Sequence, residues 1–199
     1  MKKISKGKLA VDLLLLGSVF SGMCIHITLE NERAAAAQAL KTAQVQEVVT
    51  DSKPAVEYAV PYGDTSFKSY MDYRAITNHD SAQWALQKHC STDGDGLRRY
   101  GDDYVVALGS YYTDHIGDRF KITLSSGEEF TAVVGDFKAD RHTDPSNRYT
   151  AVGEDGKNVV EFIVDTHGLS TKVKRMGDIS YIDGFSGNVT SIEEANYVD

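Results

Sequence analysis

The second half of this chain, from residue 97 onward, consists of short hydrophobic runs separated by turns rich in glycine and aspartate. Its clearest unit is a pair of such runs, residues 119–124 and 129–134, joined by the Ser-Ser-Gly-Glu turn of residues 125–128. Two β-type runs linked by a short loop that contains glycine are typical of an antiparallel hairpin. This hairpin predicts that β-structure dominates the folded part of the protein.

Further β-type runs and two helical segments complete the prediction. The predicted strands are residues 67–77, 104–108, 159–164, 177–181 and 187–192, in addition to the hairpin. Residues 81–89 are predicted as a short helix, preceded by residues with N-cap chemistry, and residues 169–176 as a short helix or turn. About six short strands with Gly and Asp turns indicate a small closed β-barrel.

The first 33 residues have the layout of an export signal. A lysine-rich start precedes a largely apolar run over residues 9–27, which Asp12 interrupts, and small alanines follow from residue 34. This is the order of an n-region, an h-region and cleavage sites. The run is also near the minimum length for a membrane-spanning helix, so a cleaved signal peptide and an uncleaved anchor are both open. In either case the lysines favour an extracytoplasmic position for the rest of the chain.

Composition separates a linker from the folded domain and excludes some classes of function. Residues 34–65, rich in Ala, Gln, Val and Glu, are predicted as a linker, and residues 66–199 as the domain. The net charge of −8 and pI of about 5.2 disfavour a nucleic-acid-binding protein. The two cysteines, Cys24 and Cys90, form no CxxC pair, which argues against a zinc–thiolate site and leaves Cys90 as a lone thiol. We predict no cofactor.

Acidic residues at the ends of two hydrophobic strands are the strongest functional signal. Asp136 follows the first strand, while Glu161 lies within the second and Asp165 directly after it. General acid catalysis needs a carboxyl group that burial or a neighbouring acid keeps protonated near neutral pH. We therefore predict these three acids as catalytic candidates. A purely structural role, in which backbone amides and Arg119 or Arg141 satisfy the carboxylates, is the alternative.

The loop between these strands supplies polar and basic side chains. Lys138, Asp140, Arg141 and His142 are predicted to bind and orient a substrate. Asp140, His142 and Asp144 follow a period of two, which permits a metal site with oxygen and imidazole ligands. Neighbouring Gly, Pro and Asn residues favour a solvated loop instead, and we predict no metal.

Three segments resemble a known family in their sequence and order. They are VAL at residues 106–108, IGDRF at 116–120 and NVVEFIVDT at 158–166. They are similar to the VALP, LGTRV and NRIDVYFDS segments of the rare-lipoprotein-A, barwin-like and three-aspartate ("3D") domains. The resemblance spans roughly residues 104–192. It implies a small six-stranded double-psi β-barrel, most similar to exported proteins of Gram-positive bacteria and their phages.

The resemblance also implies an activity on peptidoglycan glycan strands. Lytic transglycosylases with this barrel use one aspartate as general acid and then as base, and Asp136 matches it by position. Glu161 and Asp165 match two further acids of the family. This chain departs from the family pattern at two points. The Thr-Gly-Gly that follows the first aspartate is replaced by Phe-Lys-Ala at residues 137–139, so the glycines are missing, and the second acid is a glutamate.

Two functions follow as hypotheses. In the first, the protein is a secreted or membrane-anchored cell-wall lytic transglycosylase or glycosidase. Its acids cleave the glycan, its basic loop orients the glycan and Tyr111 packs against a sugar ring. In the second, the same barrel is a non-catalytic module that binds glycan or a protein at the cell surface. The retained acids favour the first hypothesis, and the missing glycines favour the second.

Overall fold

The computed structural model describes residues 55–195. The predicted export signal or anchor over residues 1–33 lies outside the described residues, as does the linker up to residue 54. In the part that is described, no helix is long and apolar enough to cross a membrane.

The described chain is built mainly from short strands. They are β1 Glu57–Tyr58, β2 Tyr70–Asp72, β3 Ser91–Thr92, β4 Arg98–Tyr100, β5 Asp103–Leu108, β6 Arg119–Leu124, β7 Glu129–Phe137, β8 Thr150–Val152, β9 Gly156–Asn158, β10 Glu161–Val164 and β11 Val189–Glu194. Two short helices, α1 (Ala82–Gln87) and α2 (Thr171–Met176), accompany them. The prediction of a mainly β domain with one or two short helices is confirmed.

Nine of the strands form one mixed sheet in the order β1-β11-β6-β7-β5-β10-β2, with β4 also on β5 and β3 on β4. The pairs β5–β7 and β10–β2 are parallel, and the other pairs of this sheet are antiparallel. Strands β8 and β9 form a separate hairpin. No pairing within residues 55–195 joins β1 to β2, so the sheet is open. The double-psi barrel stays a prediction.

The predicted hairpin is confirmed in position and register. Strands β6 and β7 pair antiparallel from Arg119 opposite Val133 to Thr123 opposite Glu129. In the turn, Gly127 has a φ of 90°, a left-handed conformation that glycine adopts without strain. The turn residues therefore set this pairing locally.

Both faces of the sheet are covered. Alternate residues of β5, β7 and β10, including Val106, Val134 and Phe162, pack into the main core, to which α2 contributes Val173. The intervening residues Val105, Val133 and Ile163 face the other way into a smaller cluster with Trp84 and Leu86 of α1. The period of two along a strand explains this division. Two of the candidate acids, Asp136 and Glu161, lie on the α1 face.

The predicted strand over residues 177–181 is wrong. Residues Ile179–Tyr181 form a 3-10 turn, and the Asp178 side chain accepts hydrogen bonds from the backbone N–H groups of Ser180 (2.9 Å) and Lys68 (3.1 Å). A side-chain acceptor of this kind draws the backbone into a turn and away from a strand.

The predicted strand over residues 67–77 is shorter in the structure, where β2 ends at Asp72. The Asp72 side chain accepts from the N–H of Arg74 (2.9 Å) and so caps the 3-10 turn Tyr73–Ala75. On the N-terminal side, β1 pairs with β11, so the sheet includes residues before the predicted domain start at residue 66.

Candidate functional site

Two of the predicted acids occupy one row of the sheet. Ala107 of β5 is the register partner of Asp136 on β7 and of Glu161 on β10. Register partners on adjacent strands direct their side chains to the same face. Asp136 and Glu161 therefore share a face, with their Cα atoms roughly 10 Å apart because each strand spacing is about 4.8 Å.

A β-bulge at Gly135 gives Asp136 this orientation. Val106 pairs with Val134, yet the next residue, Ala107, pairs with Asp136, so Gly135 is the extra residue of β7. A Cβ atom at Gly135 would lie 2.3 Å from Cγ1 of Val105, which makes glycine necessary at this position. Without the bulge, Asp136 would point into the main core.

The surroundings of Asp136 favour its protonated form. The side chain is half-buried, and its Oδ1 accepts from the N–H of Phe137 at 2.9 Å and from Nε2 of Gln83, on α1, at 3.5 Å. Burial raises the pKa of this carboxyl above its ordinary value, and the charge of Glu161 adds to the rise, while the two hydrogen bonds oppose it. A half-buried acid of this kind can serve as a proton donor.

Glu161 faces a buried lysine. Lys138 directly follows β7, and its backbone N–H donates to the carbonyl oxygen of Leu108 at 2.9 Å. The lysine side chain is 2% exposed and its Nζ lies 3.6 Å from Oε2 of Glu161. Burial lowers the pKa of Lys138, and the charge of Glu161 opposes that shift. The two groups form an ion pair that is too long for a hydrogen bond.

An open groove of about 370 Å³ runs past this ion pair. Its lining includes Lys138, Glu161 and His142, together with Ser69 and Asn158. The last two bind each other, since Nδ2 of Asn158 donates to Oγ of Ser69 at 2.6 Å and the N–H of Ser69 donates to Oδ1 of Asn158 at 3.2 Å. Asp136 lies on the same sheet face but outside the lining of this groove.

The other predicted binding residues lie in the 3-10 turn Asp140–His142. Nε of Arg141 donates to Nε2 of His142 at 3.2 Å, and Oδ1 of Asp140 accepts from Oγ of Ser110 at 2.8 Å. All three side chains of the turn are exposed. The turn therefore brings His142 to the groove, and Arg141 is hydrogen-bonded to His142.

Asp144, the third residue of the possible metal triplet, has a structural role in its loop. Its carboxylate accepts from the backbone N–H groups of Ser146 (3.1 Å), Arg148 (2.6 Å) and Tyr149 (3.1 Å). These bonds hold the pKa of Asp144 below its ordinary value, although burial opposes them. No group of three His, Cys, Asp or Glu side chains in residues 55–195 is placed to hold a metal ion.

Asp165 lies at the opposite end of β10 from Glu161, about 13 Å away at the rise of a strand. Its Oδ1 accepts from the N–H of His167 at 3.0 Å and from Nη2 of Arg74 at 3.0 Å. The bond from His167 and the charge of Arg74 hold the pKa of Asp165 below its ordinary value. The structure therefore separates Asp165 from the other two predicted catalytic acids.

Tyr111 belongs to an aromatic cluster outside the lining of the groove. Its ring makes edge-to-face contacts with Tyr58, at a centroid distance of 6.1 Å, and with Tyr112, at 5.2 Å. Tyr111 is 40% exposed, whereas Tyr112 is buried. The exposed ring is available to a sugar, but at a different place from Glu161.

Sequence reasoning missed three residues of this region: Gln83, Ser69 and Asn158. Each is a common polar residue: Gln83 lies in α1, Asn158 is the last residue of β9, and Ser69 directly precedes β2. Their importance comes from hydrogen bonds between residues that are far apart in the chain. Gln83 binds Asp136, 53 residues away, and Ser69 binds Asn158, 89 residues away. No local signal in the sequence marks such partners.

Comparison of the chain with models of protein families, with curated proteins and with solved structures gives no match. The geometry around Asp136, Glu161 and Lys138 and the resemblance of the three sequence segments are therefore the basis for a functional proposal.

Proposed function

We propose that the protein acts on peptidoglycan glycan strands outside the cytoplasm, as a lytic transglycosylase or glycosidase that uses carboxylate acid–base catalysis. One observation carries the proposal. Asp136 is a half-buried acid with a raised pKa, on the same sheet face as a second acid, Glu161. Two acids in different environments can divide the roles of proton donor and charge stabiliser.

In the proposed reaction, Asp136 donates its proton to the glycosidic oxygen as the bond from that oxygen to the anomeric carbon breaks. In a lytic transglycosylase the 6-hydroxyl of the same sugar then attacks the anomeric carbon, and Asp136 recovers a proton from that hydroxyl. A 1,6-anhydro sugar results, with no water consumed. Glu161 stabilises the positive charge that develops on the sugar ring, and the exposed His142 and Arg141 orient the glycan.

The finer fold that accompanies this proposal is the double-psi β-barrel. Two parallel pairings, β5–β7 and β10–β2, within an otherwise antiparallel sheet support it, because a simple meander contains none. Backbone NOEs that link the two edges of the sheet would support closure. Rapid amide exchange along both β1 and β2 would argue against it.

The proposed location is extracytoplasmic and cell-wall-associated. Its support is the signal-like composition of residues 1–33. The protein would contact the membrane through this segment if the segment stays uncleaved. The mass of the protein recovered from fractionated cells distinguishes a removed signal from a retained anchor, and recovery in the cytoplasmic fraction would refute export.

The test of the activity is mass spectrometry of purified peptidoglycan incubated with the full chain in mild detergent. The parent protein is compared with Asp136→Asn, Glu161→Gln and a control, Asp114→Asn, whose side chain is 84% exposed. Anhydro-muropeptides made by the parent and the control but lost in Asp136→Asn would establish the transglycosylase reaction and its acid. Products with reducing ends would indicate hydrolysis, and no products from folded protein would refute catalysis.

The second candidate is a non-catalytic glycan-binding module. The placement of Asp136 outside the lining of the groove favours it, as do Lys138 and Ala139 at positions where the similar domains have glycines. Retention of the protein on purified sacculi, without release of muropeptides, is the result that this candidate predicts.

A further inference from the structure

The ammonium group of Lys138 is buried without a hydrogen-bond partner. The lysine side chain is 2% exposed, and its Nζ makes no hydrogen bond to any atom of residues 55–195. An ammonium group carries three N–H donors. Buried donors that remain unsatisfied cost free energy, and the cost is larger for a charged group. An acceptor from outside the described chain would remove this cost.

Glu161 balances the charge of the Lys138 ammonium group but does not satisfy its N–H donors. At 3.6 Å its Oε2 offsets the positive charge of Lys138 but is too far away to accept a hydrogen bond. Glu161 is itself 25% exposed in the groove, so its carboxylate can accept a bond from a ligand. The pair thus presents a donor and an acceptor side by side, with no net charge.

We propose that the Lys138–Glu161 pair is a binding subsite for an uncharged sugar. One oxygen of the sugar accepts from Nζ of Lys138, and a neighbouring hydroxyl or acetamido N–H donates to Glu161. The inference rests on the proposed function for the class of ligand, a glycan, but not for any cleavage step.

The charge balance is the reason for an uncharged ligand. An anionic ligand that approached Lys138 would meet the carboxylate of Glu161 on the exposed side of the pair, and a cation would meet the ammonium. Adjacent sugar substituents, by contrast, offer an acceptor and a donor about 3 Å apart, which matches the pair without adding charge. Phe67 and Phe137 also line the groove and provide apolar contact for a sugar ring.

The burial of Nζ limits what can reach it. The approach to Nζ is beside Glu161, whose side chain is 25% exposed in the groove. A sugar hydroxyl that binds here supplies the acceptor that residues 55–195 do not provide.

The test uses NMR of the full chain in mild detergent, with lysine labelled with ¹³C at the ε position. Lys138→Met identifies the Lys138 signal by its loss. The probes are the neutral tetramer of N-acetylglucosamine and the acidic tetramer of galacturonic acid. We expect the neutral tetramer alone to shift the Lys138 signal, with a Kd that changes less than about twofold between about 50 and 500 mM salt, because no net charge is paired.

Variants give a second measurement. Lys138→Met and Glu161→Gln are each expected to weaken binding of the neutral tetramer by at least about tenfold, the usual effect of leaving a buried polar partner unpaired. Asp114→Asn is the control and should bind as the parent does. If a variant fails to fold, the shift of the Lys138 signal in the parent still decides the question.

A shift produced by the acidic tetramer, or by neither tetramer, overturns the subsite. Muropeptide release without a shift of the Lys138 signal overturns the subsite while leaving the proposed function intact. A shift of the Lys138 signal without muropeptide release supports the subsite and contradicts only the proposed cleavage of the glycan.

Discussion

Asp136 and Glu161 are the two register partners of Ala107, one on each side, so the two acids face the same way across three adjacent strands. Their partners differ: Asp136 binds Gln83 of α1, whereas Glu161 pairs with the buried Lys138. One row of the sheet therefore holds two acids in unlike surroundings. In the proposed reaction, this difference suits Asp136 as the proton donor and Glu161 as the group that stabilises positive charge.

Asp136→Asn is expected to reduce glycan cleavage by at least about 100-fold, because general acid catalysis contributes that much or more. The same variant is expected to stabilise the fold near neutral pH. The pKa of Asp136 is raised in the folded state, so the folded protein holds this proton more tightly than the unfolded chain does. The stability of the parent is therefore unaffected by this carboxyl below its unfolded pKa and falls as the pH rises through its folded pKa. Urea unfolding at about pH 4 and about pH 7 should show the larger gain at the higher pH.

Asp165→Asn is the matched comparison, since the pKa of Asp165 is lowered in the folded state. Its contribution is present above the unfolded pKa and lost as the pH falls, so the variant should be less stable than the parent near neutral pH. Equal effects of the two substitutions would contradict the assigned pKa directions.

Lys68→Met tests a buried lysine that joins three parts of the chain. Nζ of Lys68 donates to the carbonyl oxygens of Ser66 (2.9 Å) and Gly187 (2.8 Å), and burial lowers its pKa to about 8, while the charges of Asp178 and Asp64 oppose the shift. Between this value and the unfolded value of 10.5 the unfolded chain binds more protons, so stability rises with pH.

The measurement is the difference in unfolding free energy between the parent and Lys68→Met across this pH range. We expect the parent to gain on the order of 2 kcal/mol over the variant as the pH rises. Other titrating groups cancel in the difference. If this difference stayed constant or fell as the pH rises, Lys68 would not have the lowered pKa that the prediction requires.

Gly135→Ala is expected to destabilise the domain by about 1–3 kcal/mol, the usual effect of overpacking a core. The added methyl group would lie 2.3 Å from Cγ1 of Val105, so either the Val105 side chain or the bulge that orients Asp136 must shift. Gly94→Ala is the control, because no heavy atom lies within 4 Å of its Cβ position. Thermal unfolding of both variants checks the prediction, and equal midpoints would exclude a tight contact at Gly135.

Cys90 is expected to react slowly with iodoacetamide. Its thiol is half-buried and donates to the carbonyl oxygen of Leu86 at 3.3 Å, and burial raises its pKa to about 11 from 9.0. Near pH 8 the reactive thiolate is then about 100-fold scarcer than in the unfolded chain. Alkylation rates in a Cys24→Ser background, with and without denaturant, measure this ratio, and similar rates would contradict the burial.

Part of the site could be predicted from the sequence because it depends on neighbours along the chain. The places of Asp136 and Glu161 in hydrophobic strands predict them as a pair, and the structure brings them to one row of the sheet. Asp165 was grouped with them for the same reason but lies about 13 Å along β10. A residue's position near the end of a strand in the sequence does not show at which edge of the site the folded sheet places it.

The burial of Lys138 could not be predicted from the sequence. In the sequence it belongs to a polar loop and was expected to face a substrate, whereas the structure buries its side chain against Glu161. Burial of a lysine depends on the strands that pack around it. The loop composition carries no such information.

Elements that need only local interactions can be predicted from the sequence. The β6–β7 hairpin follows from its turn, and α1 begins where the Ser81 side chain accepts from the N–H of Trp84. The tertiary structure alone decided the parallel pairing of β5 with β7, the bulge at Gly135 and the burial of Lys138. These features join residues far apart in the chain, where the total packing of the two cores sets the register and no short pattern of residues can do so.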